Sequence, residues 1–171
     1  MTDDVNEKIL SDDEILLATK DMCKYCFDII LSTLTRKSNM STKSLDAFIE
    51  SLSTLARCPL FVTWDKHREG DYHLRGCIGT LAPLELRVAL GEYAMTSAFR
   101  DPRFRPINLN EVPNLRVSVS LLVNYEDCEH SLDWEVGVHG IIINFSVGSK
   151  DYNGEFLFYL LLFSYVFIAN Y

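Results

Sequence analysis

The strongest constraint on the fold is a pair of short segments, LFVTW at 60–64 and HLRGCIGT at 73–80, joined by the charged run DKHREGDYH. The first is apolar, β-branched and aromatic, the composition of a half-buried strand. If the charged run turns the chain back, the second is its antiparallel hairpin partner. Side chains alternate between the two faces of a strand, so Arg75, Cys77 and Gly79 are expected on one face and Leu74, Gly76, Ile78 and Thr80 on the other. Glycine weakens a strand interior through backbone entropy, and usually marks a bulge, a bend, or a place where another backbone or a ligand comes close. Gly76 and Gly79 therefore mark the surroundings of Cys77 as unusually open.

The rest of the chain supplies layers for this hairpin. Ser11 and Glu14 have capping-box spacing, and Ile15, Ala18, Met22, Cys26, Ile29 and Ile30 recur at three and four, predicting a helix from about Asp12 to Leu34. RKSNMSTKS at 36–44 reads as a loop, and Leu45, Phe48, Ile49, Leu52, Leu55 and Ala56 predict a second, shorter helix ending before Pro59. Pro83 stands where a third helix can start, with Leu84, Val88, Met95, Ala98 and Phe99 on its apolar face and an end near Arg100, before Pro102. After the loop DPRFRPINLNEVP, the segment LRVSVSLLV alternates Val117, Val119, Leu121 and Val123 against Arg116, Ser118 and Ser120, a strand with one wet face. HGIIINF at 139–145 reads as a further strand.

Composition narrows the class. With 171 residues, 48% hydrophobic and 23% charged, the chain has the length and apolar content of one globular domain. Of the net charge of -8, the arm 1–14 carries most, through Asp3, Asp4, Glu7, Asp12, Asp13 and Glu14 against Lys8. Nucleic-acid binding needs clustered Lys and Arg, and the one basic stretch is RDPRFR at 100–105, so no nucleic-acid partner is expected. An odd number of cysteines, five, and no charged-then-apolar leader segment predict free thiols in a reducing, intracellular compartment.

Several residues carry candidate chemistry. Cys77 is a candidate nucleophile, since a thiolate is reactive where a cation lowers its pKa and Arg75 is expected on its face; the alternative is a small buried hydrophobe. WEVGVHG places Glu135 and His139 four apart, so His139 is a candidate general base oriented by a carboxylate, or a turn residue satisfying backbone carbonyls. Asp101 and Arg103, with Arg100 and Arg105, offer positive charge for a carboxylate or phosphate, or else a solvated helix stop. The Cys23/Cys26 pair lies on a packing face with no second pair at zinc spacing, and the four histidines show no ligand spacing, so no metal site is expected and no cofactor is specified.

LFVTW, LRGCIGTL, EYAMTSAFRDPRF, VSVSLLVNYED and LDWEVGVHGIII together resemble, in order and spacing, the AMMECR domain family, LRGCIG being its hallmark. The resemblance covers about residues 20–145. It implies an α+β domain with a mostly antiparallel sheet, packed helices and two subdomains, and a cleft lined by the hallmark motif. It also implies a nuclear or cytoplasmic protein without an established reaction. The domain is expected over 12–145, between an acidic arm at 1–11 and a divergent tail at 146–171. The site expected in the cleft comprises Cys77, His139 and Glu135 as catalytic groups, with Arg75, Gly76, Gly79, Thr80, Asp101 and Arg103 contacting a ligand. Two functions stand side by side: a regulatory domain or scaffold for a protein partner, and an enzyme or binder of a small anionic ligand.

The resemblance weakens after about Asn144, where GSKDYNGEFLFYLLLFSYVFIANY carries no charge beyond Glu155. Its apolar run at 156–169 is shorter than the roughly 20 residues a helix needs to cross a bilayer, and lacks flanking basic residues. Three readings are open: a truncated gene product with an incomplete domain, a strand or helix completing the core, or a membrane tail anchor.

Overall fold

A computed structural model describes residues 18–36, 48, 57–123, 129–130, 132–133, 135, 141–156 and 164–168. Helix α1 (Lys20–Thr35) begins at Thr19, which is extended and whose hydroxyl accepts from the Met22 N–H at 3.3 Å. Ala18 and Thr19 are not helical, so the helix does not run through from Asp12; the expected cap at Ser11 and Glu14 lies outside the described residues. Ala18, Met22, Cys23, Cys26, Phe27 and Ile30 form the buried stripe, which matches the expected face at Ala18, Met22, Cys26 and Ile30. Of the second expected helix, only Phe48 is described; it is helical and packs on the core beside Tyr25.

The hairpin is longer and tighter than LFVTW and HLRGCIGT suggest. Strand β1 (Arg57–Arg68) pairs antiparallel with β2 (Asp71–Glu85), absorbing almost all of the charged run. The turn is only Glu69 and Gly70, both at positive φ (53° and 91°), the two-residue turn whose twist matches the strands it joins. Pro83 belongs to β2 instead of starting a helix: the register jumps from Leu60↔Thr80 to Cys58↔Leu84, leaving Leu81, Ala82 and Pro83 exposed at an irregularity where no ladder hydrogen bond is required of a proline.

Helix α2 (Leu86–Phe99) packs through Leu86, Ala89, Leu90, Ala94, Ser97 and Ala98, while Val88 is 61% exposed. The expected face holds at Ala98, which is buried, and at Leu84, Met95 and Phe99, which pack partly buried on the core, and fails at Val88. Beside Leu86 and Leu90, the small residues Ala89, Ala94, Ser97 and Ala98 let the helix lie close to the sheet. A 3-10 helix (Leu109–Asn114) occupies the expected loop and leads into β3 (Leu115–Leu121). Of the expected row, Val117, Val119 and Leu121 are buried, as is Leu115, while Val123 lies past the end of the strand and is half-buried. The opposite face is not simply wet, since Ser118 is 7% exposed.

One strand, β5, lies outside the expected elements, and another, β6, falls within the tail whose reading is open in the sequence. β4 (Ile141–Val147) agrees with the HGIIINF reading from Ile141 onward and pairs with β5 (Lys150–Phe156) in a separate two-stranded sheet. β6 (Ser164–Ile168) pairs antiparallel with β3, from Arg116↔Ile168 to Ser120↔Ser164, giving the sheet order β2-β1-β3-β6. This part of the apolar tail thus takes the sheet-completing reading, and no described helix is long and apolar enough to cross a membrane. The architecture is α+β with antiparallel sheets. At its centre Trp64 is fully buried, edge-on to Phe27 at 5.0 Å, with its indole N–H donating to the Ala94 carbonyl at 3.3 Å.

Candidate functional site

A one-residue bulge decides where the hallmark side chains go. Between Trp64↔Gly76 and Asp65↔Leu74 the register shifts, and Arg75 is the extra residue. Arg75 therefore does not share the face of Cys77. Its Nε and Nη2 donate to Glu111 Oε1 and Oε2, both at 3.0 Å, and Lys66 Nζ reaches Glu111 Oε1 at 2.9 Å. This bidentate pair is buried, Arg75 being 6% and Glu111 8% exposed. Burial works against the Glu111 charge. The hydrogen bonds from Arg75, Lys66 and Asn108 outweigh it and hold the carboxyl down at about 2. Asn108 and Glu111 form the capping box of the 3-10 helix, which fixes the carboxylate before Arg75 meets it.

The two glycines answer to packing. A Cβ on Gly76 would run into the carbonyl of Ser97 on α2, so the absent side chain is the space in which the helix backbone lies against the strand. At Gly79 a Cβ would meet the Leu60 carbonyl and the ring of Phe61, directly across the ladder. The openness read from the sequence is thus filled by protein. Thr80 shares the Gly76 side through its pairing with Leu60, and its hydroxyl accepts from the Ala82 N–H at 3.0 Å.

Cys77 is the point where the remaining expected residues meet. Its main-chain N–H donates to Asp101 Oδ2 at 2.9 Å, and its carbonyl accepts from Arg103 Nη2 at 2.8 Å. Arg103 is in turn paired with Asp101, through Nη2 to Oδ2 at 2.7 Å and Nε to Oδ1 at 3.0 Å. These bonds hold the buried Asp101 carboxyl down at about 2, against the effect of its burial. β2 is the edge of its sheet, and the Asp101–Arg103 pair satisfies the Cys77 backbone as a neighbouring strand would. Phe104 carries the guanidinium of Arg103 at 5.5 Å from its ring centre and that of Arg75 at 6.0 Å.

The Cys77 sulfur lies on the sheet face away from the helices. The Thr63 hydroxyl donates to it at 3.1 Å, and Thr63 pairs with both Cys77 and Ser118. Burial pushes the thiol up, against the opposing pull of Thr63 and Arg103, and the carboxylates of Asp101 and Asp65 push it further. On the same face Arg116 Nε donates to Asp65 Oδ2 at 2.9 Å and stacks over Tyr72 at 4.2 Å. Asp65 is 1% exposed and its Oδ1 has no hydrogen-bond partner among the described residues.

Of the other expected residues, Glu135 is exposed and His139 lies outside the described residues. Cys23 and Cys26 are fully buried on α1, and burial raises the Cys26 thiol well above its ordinary value. Among the described residues no three His, Cys, Asp or Glu side chains come together as a metal site. A concavity of about 550 Å³ lies on the β4–β5 hairpin, lined by Asn144, Phe145, Ser146, Asp151 and Tyr152, none of them in the Cys77 group. Sequence reasoning missed Glu111, Thr63, Asp65 and Arg116. Asn108 and Glu111 had the spacing of a capping box, and Asp65 continues the period-two row Phe61, Thr63.

The AMMECR1 family model matches residues 23–157, beyond the point near Asn144 where the motif resemblance weakens. An uncharacterised Arabidopsis thaliana protein is 48% identical over 130 residues, 75% of this chain and 56% of its own length. An uncharacterised Schizosaccharomyces pombe protein is 36% identical over 138 residues, 81% of this chain and 68% of its own length. The chain thus spans little more than half of the plant relative. The crystal structure of an uncharacterised Pyrococcus horikoshii protein is similar with a TM-score of 0.59 and 28% identity, over 80% of this chain and 67% of that one. With LRGCIG forming the edge strand of an α+β fold shared with that structure, and the family match covering most of its length, this chain belongs to the AMMECR1 family.

Proposed function

We propose that this chain acts inside the cell, in nucleus or cytoplasm, as a regulatory or scaffold domain that works by binding rather than by covalent catalysis at Cys77. The observation that carries this reading is how the hallmark's charged groups are committed. Arg75 is locked on Glu111, Arg103 is shared between Asp101 and the Cys77 carbonyl, and the thiol is held in its neutral form by burial and two carboxylates. A cysteine nucleophile needs the reverse, a cation without its own counter-charge beside a partly exposed sulfur.

Iodoacetamide labelling of the native chain across pH 6–10, with Cys77→Ser identifying the site, tests this. Slow labelling at pH 7 whose rate still climbs beyond pH 9 is expected. Rapid labelling that levels off below pH 8 would overturn the reading and restore Cys77 as a nucleophile.

A further inference from the structure

In an antiparallel ladder the N–H and C=O of one residue point to the same side, and the side alternates along the strand. Both Cys77 groups point away from β1, because both are taken by side chains of the Asp101–Arg103 turn. Register is continuous from Thr63↔Cys77 through Val62↔Ile78 to Phe61↔Gly79, so the Gly79 N–H and C=O also point outward from the sheet edge. No hydrogen bond from the described residues reaches them there. Beyond Gly79 the strand is exposed at Leu81, Ala82 and Pro83, and Gly79 itself presents no side chain to a backbone approaching in the plane of the sheet.

The turn that closes this edge at Cys77 is basic. Arg100, Arg103 and Arg105 are all exposed, Asp101 is the only carboxylate among them, and it is spent on Arg103. Arg100 and Arg105 have no ion pair among the described residues. The edge thus runs from an arginine-bearing turn to a short stretch of unfilled backbone, a combination that complements an extended segment with acidic residues at one end.

We propose that the outer edge of β2 from Gly79 to Leu81 receives an extended acidic peptide by strand addition, with main-chain hydrogen bonds at Gly79 and carboxylates against Arg100 and Arg105. The occupant is a segment of a partner protein, and the proposal rests on the binding function above. Only a short length of edge is open, since Asp101 and Arg103 close it on one side and Pro83 on the other. Affinity is accordingly modest, a Kd on the order of 100 μM.

Two fluorescein-labelled peptides test it by anisotropy, Thr-Val-Thr-Val-Glu-Asp-Glu and the same residues in reverse order, so that either strand direction can register. Binding of one of them is expected. It should weaken at least about tenfold when the Thr-Val half is N-methylated on alternate residues, when the acidic residues are replaced by lysine, and in the R100E/R105E chain. In the free protein the Gly79 amide should exchange with solvent readily and become protected when peptide is added. No binding up to about 1 mM peptide, or equal binding of the N-methylated form, would overturn strand addition. Neither result bears on Cys77, so a failure here leaves the labelling experiment to decide the function on its own.

Discussion

The carbonyl of Ser97 on α2 occupies the position where a side chain on Gly76 would begin. Because both partners are backbone, neither can yield by changing rotamer. Gly76→Ala should therefore cost about 2–3 kcal/mol in urea denaturation, the upper end of overpacking effects. Gly70→Ala makes the contrast, since that glycine sits at φ 91° with open space around it and should cost only about 1 kcal/mol, through backbone conformation alone. Equal effects at the two sites would contradict the close helix–strand contact.

Glu111 neutralises two cations from two strands, so its removal should be felt more than a surface ion pair. Glu111→Ala leaves Arg75 buried without a counter-charge and is expected to destabilise the chain by about 3–5 kcal/mol. Replacing the pair together, Arg75→Met with Glu111→Leu, should recover a large part of that loss, read from chemical denaturation of the three variants.

Acid should unfold the protein in a defined window. Glu111 and Asp101 are both held down at about 2 in the folded chain, below their unfolded values of roughly 4.3 and 3.9. Groups depressed on folding contribute fully above the unfolded value and lose that contribution as pH falls toward the folded one. Stability measured by urea midpoints should thus be flat from about pH 6 down to 5 with respect to these two groups and drop between about pH 4.5 and 2. Glu111→Gln should flatten part of that drop. An unchanged slope would mean that Glu111 is not tied to Arg75.

Cys26 is fully buried on the stripe of α1 that faces the core. Cys26→Ser should cost about 1–3 kcal/mol by placing a hydroxyl where a thiol now packs, and more than Cys58→Ser, whose single S–H has the Pro59 and Leu122 carbonyls as acceptors within reach at 3.1 and 3.3 Å. Thermal denaturation of the two variants gives the ordering.

The apolar tail can be tested through its backbone. β6 lies against β3 from Ser164 to Ile168, so Val166→Pro should remove or distort ladder bonds, lower the melting temperature and raise amide exchange along β3. A tail that served only as a membrane anchor would tolerate that substitution without effect on the folded domain.

Some of this architecture was legible because local chemistry and fold agreed. The Val117, Val119, Leu121 row needed only period two, and the Met22, Cys26, Ile30 stripe only period 3.6. Arg75 was misplaced because alternation carries no information about a bulge, which shows itself only when two strands are laid side by side. On α2, apolar periodicity finds Ala98 but passes over Ala89, Ala94 and Ser97, because it gives least weight to the small residues that set how near the helix comes to the sheet. Asp101 and Arg103 were marked for their charge, and they do converge on Cys77. The backbone they bind there could not be foreseen from side-chain types.

The bulge at Arg75 also gives β2 two opposite phases within one strand. Tyr72 and Leu74 before it lie on the same face as Cys77 and Gly79 after it, although their numbers differ in parity. One inserted residue lets even positions serve a surface upstream and odd positions serve the same surface downstream, while the surplus side chain drops out to meet Glu111. A deletion at 75 would remove the bulge together with the arginine: with the turn fixed at Glu69–Gly70, Leu74 would still meet Asp65 and Gly76 would still meet Trp64, so Cys77 would keep its face while Glu111 lost the side chain that the surplus residue sends to it.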